Sequence, residues 1–408
     1  MNSILHSIWL ACKYSAGSDM PKRLLEAFGS AENVYYADKT DYLNEGFRVN
    51  EISALLGKST SYAAKICEFC TNKNIRIISY GDDDYPMGFY HIPTSPCVLF
   101  CKGTLPRSDK NVFLTLVGTR AMSKDGALAA RRMAFQAAAG GAVVVSGFAR
   151  GIDSICHKGA IDAGGKTVAV LGCGIDVIYP PENALLFDEI AANGAIITEF
   201  LPGEEPKASN FPIRNRLMSA ISHAVTVIEA PIGSGALITV NHAFEQKKKV
   251  FSVPGSPVDP ASEGNNSLIK EGVAAIVDGY DLLGEFEFLY PDLVSVNRIS
   301  KTKYFIPPQL LTKEQRYFEY GRNNGKFGAV PVNVSRADEL QGDQREFYER
   351  ILRSGPVTAD EFVTKTRTLG DVLIGLAELE IAGYLSAIPG GLYTINEETS
   401  VKTDEKGD

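Results

Sequence analysis

The chain has 408 residues, of which 45% are hydrophobic and 22% charged, values typical of a globular protein with two to three domains. Its net charge of −8 argues against a protein that binds nucleic acid through its whole surface. A local basic groove is still compatible with this total, because cellular salt screens charges beyond roughly 8 Å. The sequence contains no run of the roughly 18 to 20 apolar residues that a membrane-spanning helix needs, so no membrane contact is expected.

The N-terminal sequence and the cysteines indicate the compartment. Residues 1–6 show neither the basic region nor the apolar core of a signal peptide. Seven cysteines in a chain of this length do not predict a disulfide framework. Cys67 and Cys70 form a C-x-x-C segment without further zinc ligands at suitable spacing, so we interpret them as packed thiols. We therefore expect a cytoplasmic protein without a metal site.

The first 75 residues are predicted to form a helical domain. Helical apolar spacing occurs in segments separated by glycines, namely residues 4–12, 20–28, 49–56 and 60–72. Two strands are predicted next, at 75–80 and 98–101, with an acidic turn between them.

Residues 76–285 predict an α/β domain with an extended, Rossmann-like parallel sheet. Apolar β-branched runs alternate with helical stretches, and the runs are 112–117, 142–146, 167–171, 195–199, 224–228, 250–253 and 274–277. Near-continuous apolar strands of this kind are covered by helices on both faces of the sheet. Such sheets bind ligands at the carboxyl ends of their strands, so the loops that follow the strands are the place to look for function.

The C-terminal third is predicted to contain a linker, a small domain and a tail. Residues 286–340 show weak periodicity and are interpreted as a linker with one helix at 312–320. Residues 341–395 contain three helical stretches (343–353, 358–364 and 369–382) and then a hairpin, a winged-helix-like pattern. The third stretch has acidic residues and no Lys or Arg, which favours a protein partner over a DNA groove. Residues 396–408 are polar and expected to be disordered.

The first strand of the sheet is followed by Gly118-Thr119-Arg120 and then by a helical stretch. A helix start offers free backbone N–H groups and a positive dipole end, which suit a phosphate. Arg120 adds a permanently charged, planar group for a phosphate or a base edge. An internal ion pair of Arg120 with a carboxylate is the open alternative.

The second strand is followed by Gly147, Arg150, Gly151 and Asp153, ahead of a predicted helix. The two glycines permit a close approach of the backbone. Asp153 is interpreted as the N-cap of that helix rather than as a catalytic acid. His157, one turn further along, is interpreted as an ordinary helix residue.

The segment from Lys207 to Arg216 is the richest in polar groups, and it follows the fourth strand. Cations track a phosphate backbone, and Phe211 offers a ring on which an unpaired base can stack. The alternative is that Phe211 fills the core and that Arg214 and Arg216 pair internally.

Two further loops complete the set at the same edge of the sheet. Gly233-Ser234-Gly235 is a second glycine-rich helix start suited to an anion, but no Lys-Ser or Lys-Thr follows it as in a Walker motif. Gly264-Asn265-Asn266 lies after the next strand. The sequence has no G-x-G-x-x-G with a downstream ribose-binding acid, no paired carboxylates and no Ser-His-Asp pattern. We therefore predict a site that binds an extended anion, without a cofactor and without catalysis.

The order of these motifs resembles the DprA (Smf) family of DNA-processing proteins over about residues 75–285. The segments that carry the resemblance are 117–120, 146–153, 179–180, 211–216, 233–239 and 264–269. The resemblance implies a Rossmann-like domain between an N-terminal domain of the sterile-alpha-motif or helix-hairpin-helix type and a C-terminal winged-helix-like domain.

The resemblance also implies a function, namely binding single-stranded DNA during natural transformation or recombination and handing it to the recombinase RecA. It implies a homodimer and strand contacts by residues matching Arg120, Lys207 and Phe211. The predicted DNA-binding residues are Gly118, Thr119, Arg120, Gly147, Arg150, Gly151, Lys207, Phe211, Arg214, Asn215, Arg216, Ser234, Gly235 and Asn266. The alternative is an enzyme related to nucleotide phosphoribohydrolases. Those enzymes use a glutamate for which this chain has Thr239 or Asn241 near the matching position.

Overall fold

The computed structural model describes residues 2–299, 340–354, 357–364, 367–382, 384–388 and 392–395. The chain divides into two compact units, Met1–Lys303 and Tyr304–Asp408. Within the described ranges, no helix has both the length and the apolar character needed to cross a membrane.

The first unit begins with six helices, α1 to α6. Their bounds are α1 Asn2–Ala11, α2 Met20–Phe28, α3 Ala31–Tyr36, α4 Lys39–Asn44, α5 Val49–Ile52 and α6 Ser61–Asn72. The helices α3 and α4 were not predicted, because six residues are too few to show a helical apolar period. Their caps hold them instead: the Ser30 side chain accepts a hydrogen bond from the Asn33 N–H, and Asp38 forms a capping box with Asp41. The predicted helix at 49–56 is α5 followed by a 3₁₀ turn, Ser53–Leu56.

These helices share a hydrophobic core with the sheet that follows. Trp9 and Ile66 are buried in the same cluster as Phe100, Phe148 and Leu171. The N-terminal helices therefore pack on the sheet, close to the ends of its strands.

A nine-stranded sheet forms the centre of the first unit, with the order β1-β2-β6-β5-β4-β3-β7-β8-β9. The strands are β1 Arg76–Ser79, β2 Val98–Gly103, β3 Phe113–Val117, β4 Val143–Ser146, β5 Thr167–Val170, β6 Gly194–Thr198, β7 Ala224–Val227, β8 Lys249–Ser252 and β9 Ala274–Ala275. Strands β3 to β9 run parallel, and β1 and β2 are antiparallel additions at one edge. The predicted Rossmann-like parallel sheet is confirmed. The winding direction reverses between β3 and β7, which is where such sheets place their ligand crevice.

Helices cover both faces of the parallel strands. They are α7 Lys124–Ala139, α8 Ile152–Asp162, α9 Ala184–Asn193, α10 Asn210–Ile221, α11 Gly235–Glu245, α12 Glu263–Lys270, α13 Gly279–Glu287 and α14 Val296–Ile299. Alternate residues of β3 enter different cores, as the two-residue period of a strand requires. Phe113 packs in the cluster that contains Leu217 of α10, whereas Leu114 packs in the cluster that contains Ala130 of α7 and Ile155 of α8.

His157 on α8 is fully buried, and its Nδ1 lies 2.7 Å from Thr167 Oγ1. Burial lowers the pKa of His157 from its ordinary 6.5 to about 3, and the nearby Arg214 charge acts in the same direction. The unfolded chain therefore takes up a proton at this histidine near pH 6.5, while the folded protein does not. We expect the contribution of His157 to stability to fall as the pH drops from about 6.5 toward 3. Denaturant titrations of wild type and His157→Gln should show a shallower loss for the variant in that window, and parallel curves would contradict this.

The second unit is small and has mixed structure. Its elements are α15 Gly342–Ser354, β10 Val357–Thr358, α16 Leu369–Ile381, β11 Leu385–Ile388 and β12 Leu392–Ile395, with strand order β10-β12-β11. The prediction of a helix at 358–364 is wrong, because the segment begins with the end of β10 and continues as a 3₁₀ turn, Ala359–Phe362. The winged-helix assignment stays a prediction. The predicted helix at 312–320 and the predicted disordered tail at 396–408 lie outside the described residues.

Candidate nucleic-acid interface

A groove opens at the carboxyl ends of β3 and β7, where the winding direction of the sheet reverses. It encloses a cavity of about 630 Å³. Its walls come from the loops after β3, β6 and β7 together with the first turns of α10 and α11. The loops after β3, β6 and β7 that the sequence singled out therefore meet at one site, as the parallel sheet requires. The predicted segment 264–266 does not line it.

The turn after β3 is held by backbone hydrogen bonds on both sides. The Thr119 N–H donates to the Glu229 carbonyl at 2.7 Å, and the Ile152 N–H donates to the Thr119 carbonyl at 3.2 Å. These bonds fix Arg120, whose side chain is exposed at the groove. Arg120 forms no salt bridge with any carboxylate of the described residues, so its charge is available to a ligand.

Phe211 lies in the first turn of α10 and is only partly buried. The guanidinium carbon of Arg120 lies 4.9 Å from the centroid of its ring, and that of Arg214 lies 5.9 Å away. The Tyr179 ring is 5.8 Å from the Phe211 ring, tilted by 39°. Phe211 is thus part of the groove wall and not of a hydrophobic core, and it stands between two arginines.

Arg214 lines the groove from below and is almost completely buried, with 3% of its surface exposed. Its guanidinium donates to the carbonyls of Gly147 (2.6 Å) and Val170 and to Asn215 Oδ1 (3.0 Å). Burial lowers the pKa of Arg214 to about 10, and the Asp153 carboxylate opposes that shift. Arg214 therefore fixes the ends of β4 and β5 and places a positive charge beneath the groove floor.

Asp153 holds the loop after β4 together, but it is not the N-cap of α8. The N-cap of α8 is Gly151, with φ 78°, and Asp153 lies in the first turn. Its carboxylate accepts hydrogen bonds from the N–H groups of Gly147 (3.1 Å) and Ala149 (3.3 Å). The predicted N-cap role is therefore wrong, because the carboxylate turns back to the loop. A side chain at Gly147 would meet Arg214 Nη2 at 2.6 Å and Asp153 Oδ2 at 2.7 Å, so this position requires glycine.

The start of α11 forms the opposite wall. Gly233, with φ 78°, turns the chain, and the Ser234 side chain caps the helix by accepting from the Ala236 N–H at 3.3 Å. Asn215 reaches across from α10 and donates to the Gly235 carbonyl at 3.3 Å. The residues from Gly233 to Ala236 line the cavity. The Ser234 N–H donates to the Pro231 carbonyl at 3.1 Å and the Ala236 N–H to the Ser234 hydroxyl, so the Gly235 N–H is the candidate donor for an anion at this helix start.

Several of the predicted residues are not brought into the groove. Arg216 is buried and bonded to Glu199 and to Thr94. Arg150 forms an exposed salt bridge with Glu182. Asn266 lies on α12 and not in the predicted loop, and its side chain hydrogen-bonds both the N–H and the carbonyl of Gly255.

Lys207 is exposed in the loop before α10. Its neighbours Pro206 and Ala208 line the cavity, so Lys207 lies at the rim. Thr239 lies near the position that matches the glutamate of the phosphoribohydrolases. It is fully buried and belongs to the groove lining. Within the described residues, no cluster of three or more His, Cys, Asp or Glu side chains is suited to a metal ion.

The sequence did not indicate two supporting residues. In the sequence, Tyr179 is notable only as part of a turn, because no neighbouring residue indicates that its ring contacts Phe211. Glu229, at the end of β7, is 4% exposed and accepts hydrogen bonds from the N–H and the hydroxyl of Ser123, the N-cap of α7. A single acid after an apolar strand gives no signal of that role.

Comparison with known proteins identifies relatives over this domain and beyond it. The family model for DNA recombination-mediator protein A matches residues 76–287. Protein Smf of Synechocystis sp. is 32% identical over 404 residues, covering 94% of this chain and 97% of that protein. The DNA processing protein DprA of Streptococcus pneumoniae is 42% identical over 207 residues, 51% of this chain and 73% of that protein. The X-ray structure of that organism's DprA matches with a TM-score of 0.61 and 34% identity, over 70% of this chain and 98% of the other.

Proposed function

The chain belongs to the DNA recombination-mediator protein A family, and from this premise we propose that it binds single-stranded DNA in the groove at the ends of β3 and β7. The observation that carries the proposal is the stack of Arg120 on Phe211, 4.9 Å apart, at the mouth of the groove. A cation and an aromatic face at one point match a phosphate and its unpaired base. In a duplex the base faces are covered, so the ring favours single strands.

Each part of the groove has a role in this proposal. Arg120 and Lys207 bind phosphates, and the start of α11 binds another through the Gly235 N–H. Phe211 stacks on a base. The loops that present these groups are supported by Arg214, Gly147 and Gly151. The turn that carries Arg120 is held by Gly118 and Thr119. Because the net charge of the chain is −8, binding depends on this local group of cations.

The cellular role follows from the family resemblance. We propose that the protein acts in the cytoplasm during natural transformation or recombination, without catalysis, and passes the bound strand to RecA. We also propose a homodimer formed through the Rossmann-like domain. Exposed apolar side chains at the end of that domain support self-association: Val277 is 65% exposed, Phe288 90% and Leu289 57%.

Replacing Arg120 by alanine should weaken binding to oligo-dT and lower the salt dependence of the binding constant. One lost phosphate contact reduces the slope of log K against log salt by about 1. The fold should be unaffected, because the side chain is exposed and forms no salt bridge in the described part of the chain. Electrophoretic shift or anisotropy at several salt concentrations measures both quantities, with single-stranded and duplex DNA compared and RecA added in a parallel series.

Arg107→Ala is the matched control. It removes the same charge from the loop before β3, at the end of the strands that lies opposite the groove. There, Arg107 pairs with Asp109. The proposal is rejected if Arg120→Ala binds oligo-dT with wild-type affinity and slope, or if duplex DNA binds as well as single strands.

A further inference from the structure

A second cavity, of about 230 Å³, lies beside the groove. It is built from the residues that follow β4 and β5, among them Gly147, Leu171 and Gly172. Arg120, Ala149, Tyr179 and Phe211 line both cavities. The stack of Arg120 on Phe211 is therefore the wall between the groove and this second space.

The lining of the second cavity is apolar and aromatic inside and cationic at its rim. Leu171 and Cys173 are each 2% exposed, and Pro180 is buried. Burial raises the pKa of the Cys173 thiol to about 11, and its Sγ lies 3.2 Å from the Val177 carbonyl, so the thiol is neutral at physiological pH. The charged groups in the lining are Arg120 and Arg150, and because Arg150 is paired with Glu182, the charge available at the rim is that of Arg120. These surroundings suit a flat, uncharged group that is attached to an anion.

The aromatic walls are held in place. The Phe211 ring rests on the backbone of Gly172, where an added Cβ would lie 3.0 Å from Cδ1 of the ring. Tyr179 closes the adjacent side with its ring tilted by 39° to that of Phe211. The Phe211 ring, supported by Gly172, binds a planar group with little loss of side-chain entropy.

We propose that this second cavity is a pocket for one unpaired nucleobase, turned out of the strand past the stack of Arg120 on Phe211. The inference rests on the proposed function of the groove. A volume of about 230 Å³ is below the roughly 300 to 1,000 Å³ of sites for drug-sized ligands, which favours one base over a longer stretch of strand. The phosphate of that nucleotide then lies at Arg120, between the two cavities, while its neighbours follow the groove.

The variant Ala121→Leu tests the pocket. Ala121 lines the second cavity but not the groove, and it is exposed, so a larger side chain fills the pocket without entering the core. Because stacking contributes about 1 to 3 kcal/mol per base, the variant should bind oligo-dT roughly 5- to 150-fold more weakly. For an abasic strand of the same length, the affinity of the variant should equal that of wild type. Ala192→Leu, at an exposed position of α9, is the matched control and should leave both affinities unchanged.

A spectroscopic measurement gives an independent readout. A 2-aminopurine placed within oligo-dT should change its fluorescence on binding to wild type and to Ala192→Leu, and should change less with Ala121→Leu. Wild-type affinity for oligo-dT in Ala121→Leu rejects the pocket. An equal loss on the abasic strand shows that the occupant is backbone and rejects a base. Failure of the wild-type protein to bind oligo-dT at all rejects the proposed function itself.

Discussion

Phe211→Ala is expected to weaken binding to oligo-dT by one to two orders of magnitude while leaving the protein folded. Stacking of a base on an aromatic side chain contributes about 1 to 3 kcal/mol, and this contribution is lost with the ring. The ring also holds Arg120 at 4.9 Å, so the alanine variant frees the guanidinium to sample other positions. Because Phe211 is partly exposed and lies in a groove wall, the free energy of unfolding should change far less than the affinity. Fluorescence anisotropy and denaturant titration measure the two effects separately.

Two further variants serve as controls for this expected loss of affinity. Phe211→Tyr keeps the ring and should keep most of the affinity. Phe244→Ala removes a phenylalanine that is 49% exposed near the end of α11, away from the groove, and should bind as wild type does. The effects of Phe211→Ala and Arg120→Ala should not add in the double variant, since the two side chains act as a pair. Additive losses would show that they contact the strand independently.

The parallel strands could be predicted well because each is a nearly continuous apolar run between helical stretches. That pattern has few solutions other than a sheet covered on both faces. The same pattern predicts that the loops of the site lie at one edge of the sheet. The short helices α3 and α4 escaped prediction because capping, and not an apolar period, defines them.

The site itself could be predicted only as a set of loops. Arg214 and Arg216 are two residues apart on α10, so their side chains leave the helix in nearly opposite directions, about 160° apart. One reaches the ends of β4 and β5, and the other reaches Glu199. The sequence around Arg214 and Arg216 does not distinguish their roles, because the partners of both side chains come from distant parts of the chain. The same holds for Tyr179, which contacts Phe211 only through the fold.

Removing one partner of the pair formed by Arg216 and Glu199 is expected to cost about 3 to 5 kcal/mol of unfolding free energy. The side chains are 8% and 5% exposed, and two N–H groups of the guanidinium donate to the two carboxylate oxygens at 2.6 and 2.7 Å. The pair also connects α10 to the N-terminal helices, because Glu199 accepts from the Gly17 N–H. Either Arg216→Ala or Glu199→Ala leaves a buried charge without its partner. Arg107→Ala, which breaks an exposed pair, should change the unfolding free energy far less.

The double variant Arg216→Met with Glu199→Leu separates a structural role of Arg216 from a role in binding DNA. Replacing both buried charges by apolar groups removes the desolvation cost of each, so the double variant should be more stable than either single alanine variant. If Arg216 acts only within the fold, this folded double variant should bind oligo-dT with wild-type affinity and an unchanged salt slope. The sequence alone predicted a strand contact for Arg216, and that prediction requires weaker binding and a slope lowered by about 1 in the double variant. The bonds of Arg216 to Glu199 and Thr94 favour the first result, because a guanidinium engaged in this way has to give up buried partners to reach a phosphate.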